Sequence, residues 1–168
     1  MKYKNKLTVL GLDPGYGRIG YGILKKEGSK ITYLKSGVFE FPSYNNLGEK
    51  LFLLEKKLKK LINLYHPSIA GVEKLFYFQN KKTIIEVAEA RGIILKTLTE
   101  HKIKVIEMTP QHIKSSITNN GKASKVGVAK MVKNFLNLKK DKMLDDETDA
   151  LAIAISTLSH ICIIPDTF

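Results

Sequence analysis

Asp13 closes an apolar run, Leu7-Thr-Val-Leu-Gly-Leu12, and Glu73 closes another, Ile69-Ala-Gly-Val72. Asp146 and Asp149 lie three residues apart, just ahead of the stretch Ala150-Leu-Ala-Ile-Ala-Ile155. The two apolar runs read as strands. Ligand sites in open α/β sheets gather beyond the carboxyl ends of strands. If the two strands are parallel neighbours, Asp13 and Glu73 converge at that edge. The three-residue spacing puts Asp146 and Asp149 on one side of a helix. They fall in its first turn, where the helix dipole favours negative charge. Four unpaired carboxylates around one point repel and raise each other's pKa. Hard divalent cations resolve that conflict. Mg²⁺ takes oxygen ligands and pairs with phosphate. Two such ions about 4 Å apart clamp the attacking and leaving oxygens of a phosphodiester. Taken singly, each acid has an ordinary use: satisfying a turn, solvating a strand end, or compensating a dipole. Glu107 also closes a strand-like run. It ranks below Glu73, because the helix start Thr109-Pro110 comes at once and the carboxylate is expected to serve that local geometry.

The residues after Asp13 spell a second pattern. Gly15, Gly17 and Gly20 match G-x-G-x-x-G, the dinucleotide fingerprint. That fingerprint needs a helix after it, so that a pyrophosphate can rest on the helix N-terminus. After Gly20 come instead Tyr21-Gly-Ile-Leu-Lys-Lys, a Gly28-Ser29 turn, and Ile31-Thr-Tyr-Leu-Lys-Ser-Gly-Val-Phe-Glu-Phe41. These runs are rich in β-branched and aromatic residues and read as two more strands. Glu40, at the distance of a ribose acid, belongs to the third strand of a meander. The glycines are instead expected to let the chain turn after Asp13 and let a ligand backbone come close.

Bulk properties set the class. The chain has 168 residues, the length of one ordinary domain, and 43% of them are hydrophobic. Nothing approaches the roughly 18 consecutive apolar residues of a membrane span. The start, MKYKNKLTVLGLD, has no apolar region ahead of a cleavage site, so no signal peptide is expected. The single Cys162 fits a reducing compartment, and the reading is a cytoplasmic protein. His66, His101, His112 and His160 are scattered and match no zinc spacing. Lys and Arg number 28 against 16 acids, a net charge of +12. Such a surface favours polyanions.

The elements that must position the acids are set by periodicity. Residues 7–41 give three strands. Leu47, Leu51, Leu54, Leu58, Leu61 and Tyr65 repeat at helical spacing and predict a helix over 47–65, stopped by Pro67. Residues 69–73 give a fourth strand and 103–107 a fifth. Between them, 83–99 reads as a helix whose apolar residues cover more than one stripe, which calls for partners on two sides. Thr109-Pro110 opens a short helix, Asn119-Asn-Gly-Lys122 turns, and Ser124 caps a helix to about Leu136. Asp145 or Asp146 opens the last helix. The fold class is therefore α/β, a mixed five-stranded β-sheet flanked by α-helices, in a single domain over 1–168 with a short tail from about 161.

In order along the chain, Gly11-Leu-Asp13-Pro-Gly15, Gly20-Tyr-Gly22, Val72-Glu73-Lys-Leu-Phe76, Glu89-Ala-Arg-Gly92 and Asp146-Glu-Thr-Asp149-Ala-Leu-Ala152 resemble the RuvC family of bacterial Holliday-junction resolvases. The resemblance spans about residues 7–160. It implies an RNase H-like fold and a homodimer that cuts symmetric strands of four-way DNA junctions during recombination and repair. It also implies four acids acting with Mg²⁺, two ions per site, with Mn²⁺ as a substitute. Those acids fall on Asp13, Glu73, Asp146 and Asp149. The family's basic DNA face falls on Lys114, in Gln111-His-Ile-Lys, and on Lys125, in Ala123-Ser-Lys. Association with the RuvA–RuvB branch-migration machinery is implied as well. Thr148 stands where alanine is common, which touches packing and not ligation. The Gly17-Arg18 spacing departs from the family, and Arg18 receives no role.

Three lysines, Lys114, Lys122 and Lys125, flank the Asn-Asn-Gly turn and are expected to grip the scissile strand or to offset charge in the transition state. Phe76-Tyr77-Phe78 comes shortly after Glu73, and Phe76 and Phe78 are candidates to stack on bases opened at the crossover. A junction offers two equivalent strands, which suits a two-fold dimer. The second face of the 83–99 helix, with Ile85, Ala88 and Leu95, is its expected contact. Another RNase H-like nuclease with a different nucleic-acid substrate, an actin-like ATPase lobe and a non-catalytic DNA-binding module are the alternatives. The ATPase would need a second lobe, and the binding module leaves four convergent acids without a purpose.

Overall fold

The computed structural model describes residues 6–41, 46–75, 81–138 and 143–163. Its strands are β1 (Lys6–Pro14), β2 (Arg18–Glu27), β3 (Lys30–Glu40), β4 (Ile69–Glu73) and β5 (Lys104–Met108). Its helices are α1 (Leu47–Tyr65), α2 (Lys81–Glu100), α3 (Pro110–Thr118), α4 (Lys125–Phe135) and α5 (Asp145–Ile163). The strands form one sheet in the order β3-β2-β1-β4-β5. β1, β2 and β3 make an antiparallel meander, while β4 and β5 run parallel to β1. The mixed α/β sheet expected from the sequence is thus present. The helical boundaries obey their chemistry. Asn46, Thr109 and Ser124 each cap a helix by accepting a hydrogen bond from the amide three residues on. α5 continues to Ile163, past the expected start of the tail, and residues 164–168 lie outside the described residues.

Strand alternation divides the core in two. Leu10, Leu12, Ala70 and Val72 point to one face, against Leu54, Leu58 and Ile62 of α1 and Ala90, Ile94 and Leu98 of α2. Leu7, Val9 and Ile69 point to the other, against Leu151, Ile153 and Leu158 of α5, Ile113 of α3 and Val132 of α4. On this second face the alternation continues through glycines. A Cβ on Gly11 would collide with the Ala150 carbonyl, one on Gly20 with the Asp146 carbonyl, and one on Gly71 with Thr157 Oγ1. The sheet therefore carries a side-chain-free trough in which α5 lies almost on the backbone. This corrects the expected role of Gly20: the backbone that comes close is that of α5, not of a ligand. No positive φ is needed at Gly15, Gly17 or Gly20 for the turn after Asp13, since among the described glycines only Gly28 has one.

The two-sided reading of α2 is refined. Val87, Ala90, Ile94 and Leu98 are buried, whereas Ile85 is 61% exposed and Ala88 and Gly92 are exposed. Leu95 packs partly on the core shared with α1 and is not on the free face.

Candidate active site

Parallel pairing brings Leu12 of β1 opposite Val72 of β4. The next residues on the two strands are Asp13 and Glu73. Leu12 and Val72 face α1 and α2, so by alternation both acids face α5. α5 enters at the same edge, because Gly20 admits the backbone of Asp146. The trough that seats the helix thus also sets the height at which Asp146 and Asp149 meet the strand ends. Glu147, between them, turns away and is buried, accepting a hydrogen bond from Ser36 of β3 at 2.6 Å. Thr148 is buried, and its hydroxyl donates to the Leu144 carbonyl.

The electrostatics record this crowding. Burial, then the charges of Glu73, Asp149 and Asp146, push the Asp13 carboxyl up from 3.8 to about 8, with Lys125 opposing. Burial and Asp149 push Glu73 up from 4.5 to about 7, against Lys125 and Lys114. Asp149 is raised chiefly by burial, against the pull of Lys125. Two acids carry cations. Lys125 Nζ donates to Asp149 Oδ2 at 3.3 Å, and Arg18 Nε lies 3.0 Å from Asp146 Oδ2. Among the described residues, no three His, Cys, Asp or Glu side chains already stand close enough to hold an ion. The donor set nevertheless fits a hard divalent cation. It is all carboxylate oxygen, and Asp146 Oδ2 is buried without an aligned hydrogen bond among the described residues, despite the nearby guanidinium.

The basic residues divide. Lys114 on α3 is half-buried and close enough to act on Glu73, and Lys125 reaches Asp149. Lys122 is exposed on the turn between α3 and α4, where its amide donates to Asn120 at 2.9 Å. Phe76 and Phe78 lie outside the described residues. Glu107, on the opposite face, ion-pairs with Arg91 of α2. Its partner is Arg91 and not the α3 start, where Thr109 accepts from His112. Sequence reasoning misses two residues. Arg18 is one. Lys50 is the other: it is buried, donates to the Tyr16 carbonyl at 2.7 Å, pairs with Glu86 at 3.2 Å, and lies 5.2 Å from the Tyr16 ring centre. It braces the β1–β2 turn beside Asp13. The signal was there, because Lys50 precedes Leu54 and Leu58 on the same buried helical row.

The family model for crossover junction endodeoxyribonuclease RuvC matches residues 9–157, which contain all four acids. The chain belongs to the RuvC family. RuvC of Petrotoga mobilis is 41% identical over 148 residues, covering 88% of this chain and 91% of that protein. RuvC of Thermosipho melanesiensis is 39% identical over 148 residues, covering 88% and 94%. The structure is similar to Thermus thermophilus RuvC in complex with a Holliday junction substrate, with a TM-score of 0.87 at 25% identity over 94% of this chain and 96% of that one. The yeast mitochondrial Holliday junction resolvase Ydc2 shares the fold, with a TM-score of 0.66 at 16% identity over 91% and 80%. The RNase H-like architecture of RuvC is therefore that of this chain.

Proposed function

We propose that this RuvC-family endonuclease resolves four-way DNA junctions by hydrolysing one phosphodiester in each of two symmetric strands, with Asp13, Glu73, Asp146 and Asp149 as its metal-binding acids. The observation that carries the reading is the meeting of two strand-end acids and two helix-start acids at one sheet edge, with Asp13 raised to about 8 by burial and by the other three. Such a site is costly to ionise without a counter-ion, and all its donors are oxygens. Mg²⁺, two per site and replaceable by Mn²⁺, would supply Lewis acidity and an activated water when bound there.

The chain's own residues do the rest. Lys125 shares the charge of Asp149, and Lys114 acts on Glu73. Both are cations at the rim of the acid cluster, able to hold the phosphate of the scissile strand beside it. Lys122, on the exposed turn, extends that contact, and the net charge of +12 attracts the polyanion as a whole. Phe76 and Phe78 stack on bases opened at the crossover, where stacking is worth about 1–3 kcal/mol per base. Two copies act together. The exposed Ile85, Ala88 and Gly92 on α2 form the two-fold contact, which sets one acid cluster on each of two equivalent strands. A RuvA–RuvB branch-migration complex is the matching partner, and the cytoplasm the matching compartment. The test is nicking of a four-way junction, a linear duplex and an RNA–DNA hybrid with and without Mg²⁺. Paired, metal-dependent nicks confined to the junction support the reading. Equal cutting of the hybrid or the duplex overturns it.

A further inference from the structure

Of the 28 cationic side chains only two are arginines, Arg18 and Arg91. Both stand at the acid edge. Arg91 ion-pairs with Glu107 and donates from Nε to the Glu73 carbonyl at 3.2 Å. Arg18 opens β2 and brings Nε to 3.0 Å from Asp146 Oδ2. Arginine is planar, permanently charged and forked, and matches carboxylate and phosphate in a way that lysine's mobile point charge does not. Lys125 and Lys114 also stand at this edge, but both arginines of the chain are found there.

The two cation–acid pairs of the site differ in kind. Lys125 makes a hydrogen bond to Asp149. Arg18 lies close to Asp146 without aligning, and among the described residues Asp146 Oδ2 is left buried and without a hydrogen bond. The guanidinium side chain is 44% exposed, against 26% for the aspartate. Arg18 thus reaches inward from the rim to an oxygen that it neutralises and does not satisfy. A part-exposed ion pair without an aligned hydrogen bond gains less than a charge-assisted one, so a partner that aligns better has an advantage over it.

We propose that Arg18 is a placeholder counter-ion: it neutralises Asp146 in the metal-free protein, yields that carboxylate to the divalent ion, and then turns to a phosphate oxygen of the bound strand. The proposal rests on the reading of Asp146 as a metal ligand. It makes Arg18 a positioning residue that couples two events. DNA drawing Arg18 outward leaves Asp146 free for the ion, and the ion displacing Arg18 leaves it free for DNA, so each tightens the other.

With two arginines in the chain, the test is direct. The full-length protein is labelled with ¹⁵N, and Arg18→Lys assigns which arginine Nε–H signal belongs to Arg18. MgCl₂ is then titrated without DNA, while melting temperature is followed on the same samples. The expected result is a saturable movement of the Arg18 signal, larger than that of Arg91, with the midpoint of the thermal stabilisation. In calorimetry, Arg18→Gln tightens Mg²⁺ binding roughly two- to fivefold, the range that a partly exposed ion pair can withhold. If Mg²⁺ stabilises the protein and the Arg18 signal stays in place, or if Arg18→Gln leaves Mg²⁺ affinity unchanged, the placeholder role is wrong and the acid site stands. If Mg²⁺ neither stabilises the protein nor moves any signal of the site, the metal-ligand reading of Asp146 fails and takes this proposal with it.

Discussion

Asp13→Asn should abolish strand cleavage and at the same time stabilise the metal-free protein. Burial and three neighbouring acids lift the Asp13 carboxyl from 3.8 to about 8. Between those values the folded chain holds a proton that the unfolded chain has released. The fold's stability therefore falls as pH rises through that window, and levels off above about 8. At about 1.4 kcal/mol per pH unit, the full penalty is roughly 6 kcal/mol above pH 8 and near 1–2 kcal/mol at pH 5. Asparagine keeps the shape without the charge, but its amide needs hydrogen-bond partners, so the realised gain at pH 8 is about 1–3 kcal/mol. For a chain of this size that is a rise of roughly 3–10 °C in melting temperature. The assay is thermal or urea unfolding of both proteins in EDTA at pH 5, 6.5 and 8. The gain should grow with pH. Saturating Mg²⁺ should reverse the order, because the ion stabilises wild type through an acid the variant lacks. A variant less stable than wild type at pH 8 in EDTA, or a gain that does not change with pH, would refute the argument that the fold holds this carboxylate at a cost.

Lys114→Ala and Lys125→Ala should lower the single-turnover cleavage rate more than they weaken junction binding; lost affinity at an unchanged rate would make them phosphate anchors only. Gly71→Ala should destabilise the fold by about 2 kcal/mol or more, because the new methyl meets Thr157 of α5, and denaturant unfolding reads the loss. Ile85→Glu on the exposed face of α2 should shift sedimentation from dimer toward monomer while melting temperature stays close to wild type.

The elements are legible in the sequence because each carries its own period and its own stops. Pro67 ends α1 where the leucine row ends, and Ser124 and Thr109 cap the helices their positions imply. The four acids are legible as candidates from strand ends and a helix start, which needs no knowledge of contacts, although Asp149 lies one step past the first turn in which the sequence places it. The packing between elements is not. From sequence, Gly20 reads as a turn-forming or ligand-approach signal, and Gly11 and Gly71 read only as members of apolar strand runs. Their common purpose, a trough for α5, exists only once the three strands are side by side. Glu73 ends β4 and Glu107 stands one residue before the end of the adjacent parallel β5, so one faces α5 and the other α2, because the pairing sets Glu73 opposite Met108. A one-residue offset decides which face an acid sees. Arg18 is hidden by a spacing that departs from the family pattern, although its rarity among 28 cations marks it.

The central claim is that four acids form one cutting centre, while most of the affinity for the junction comes from the basic surface. It is tested most directly by single-turnover cleavage and equilibrium binding of one four-way junction by wild type and by Asp13→Asn, Glu73→Gln, Asp146→Asn and Asp149→Asn, in Mg²⁺. Loss of nearly all cleavage in each variant, with junction affinity within a few-fold of wild type, is the result expected when metal ligands are removed and the basic surface is left in place. Wild-type-like cleavage by the Asp13 or Glu73 variant would contradict it.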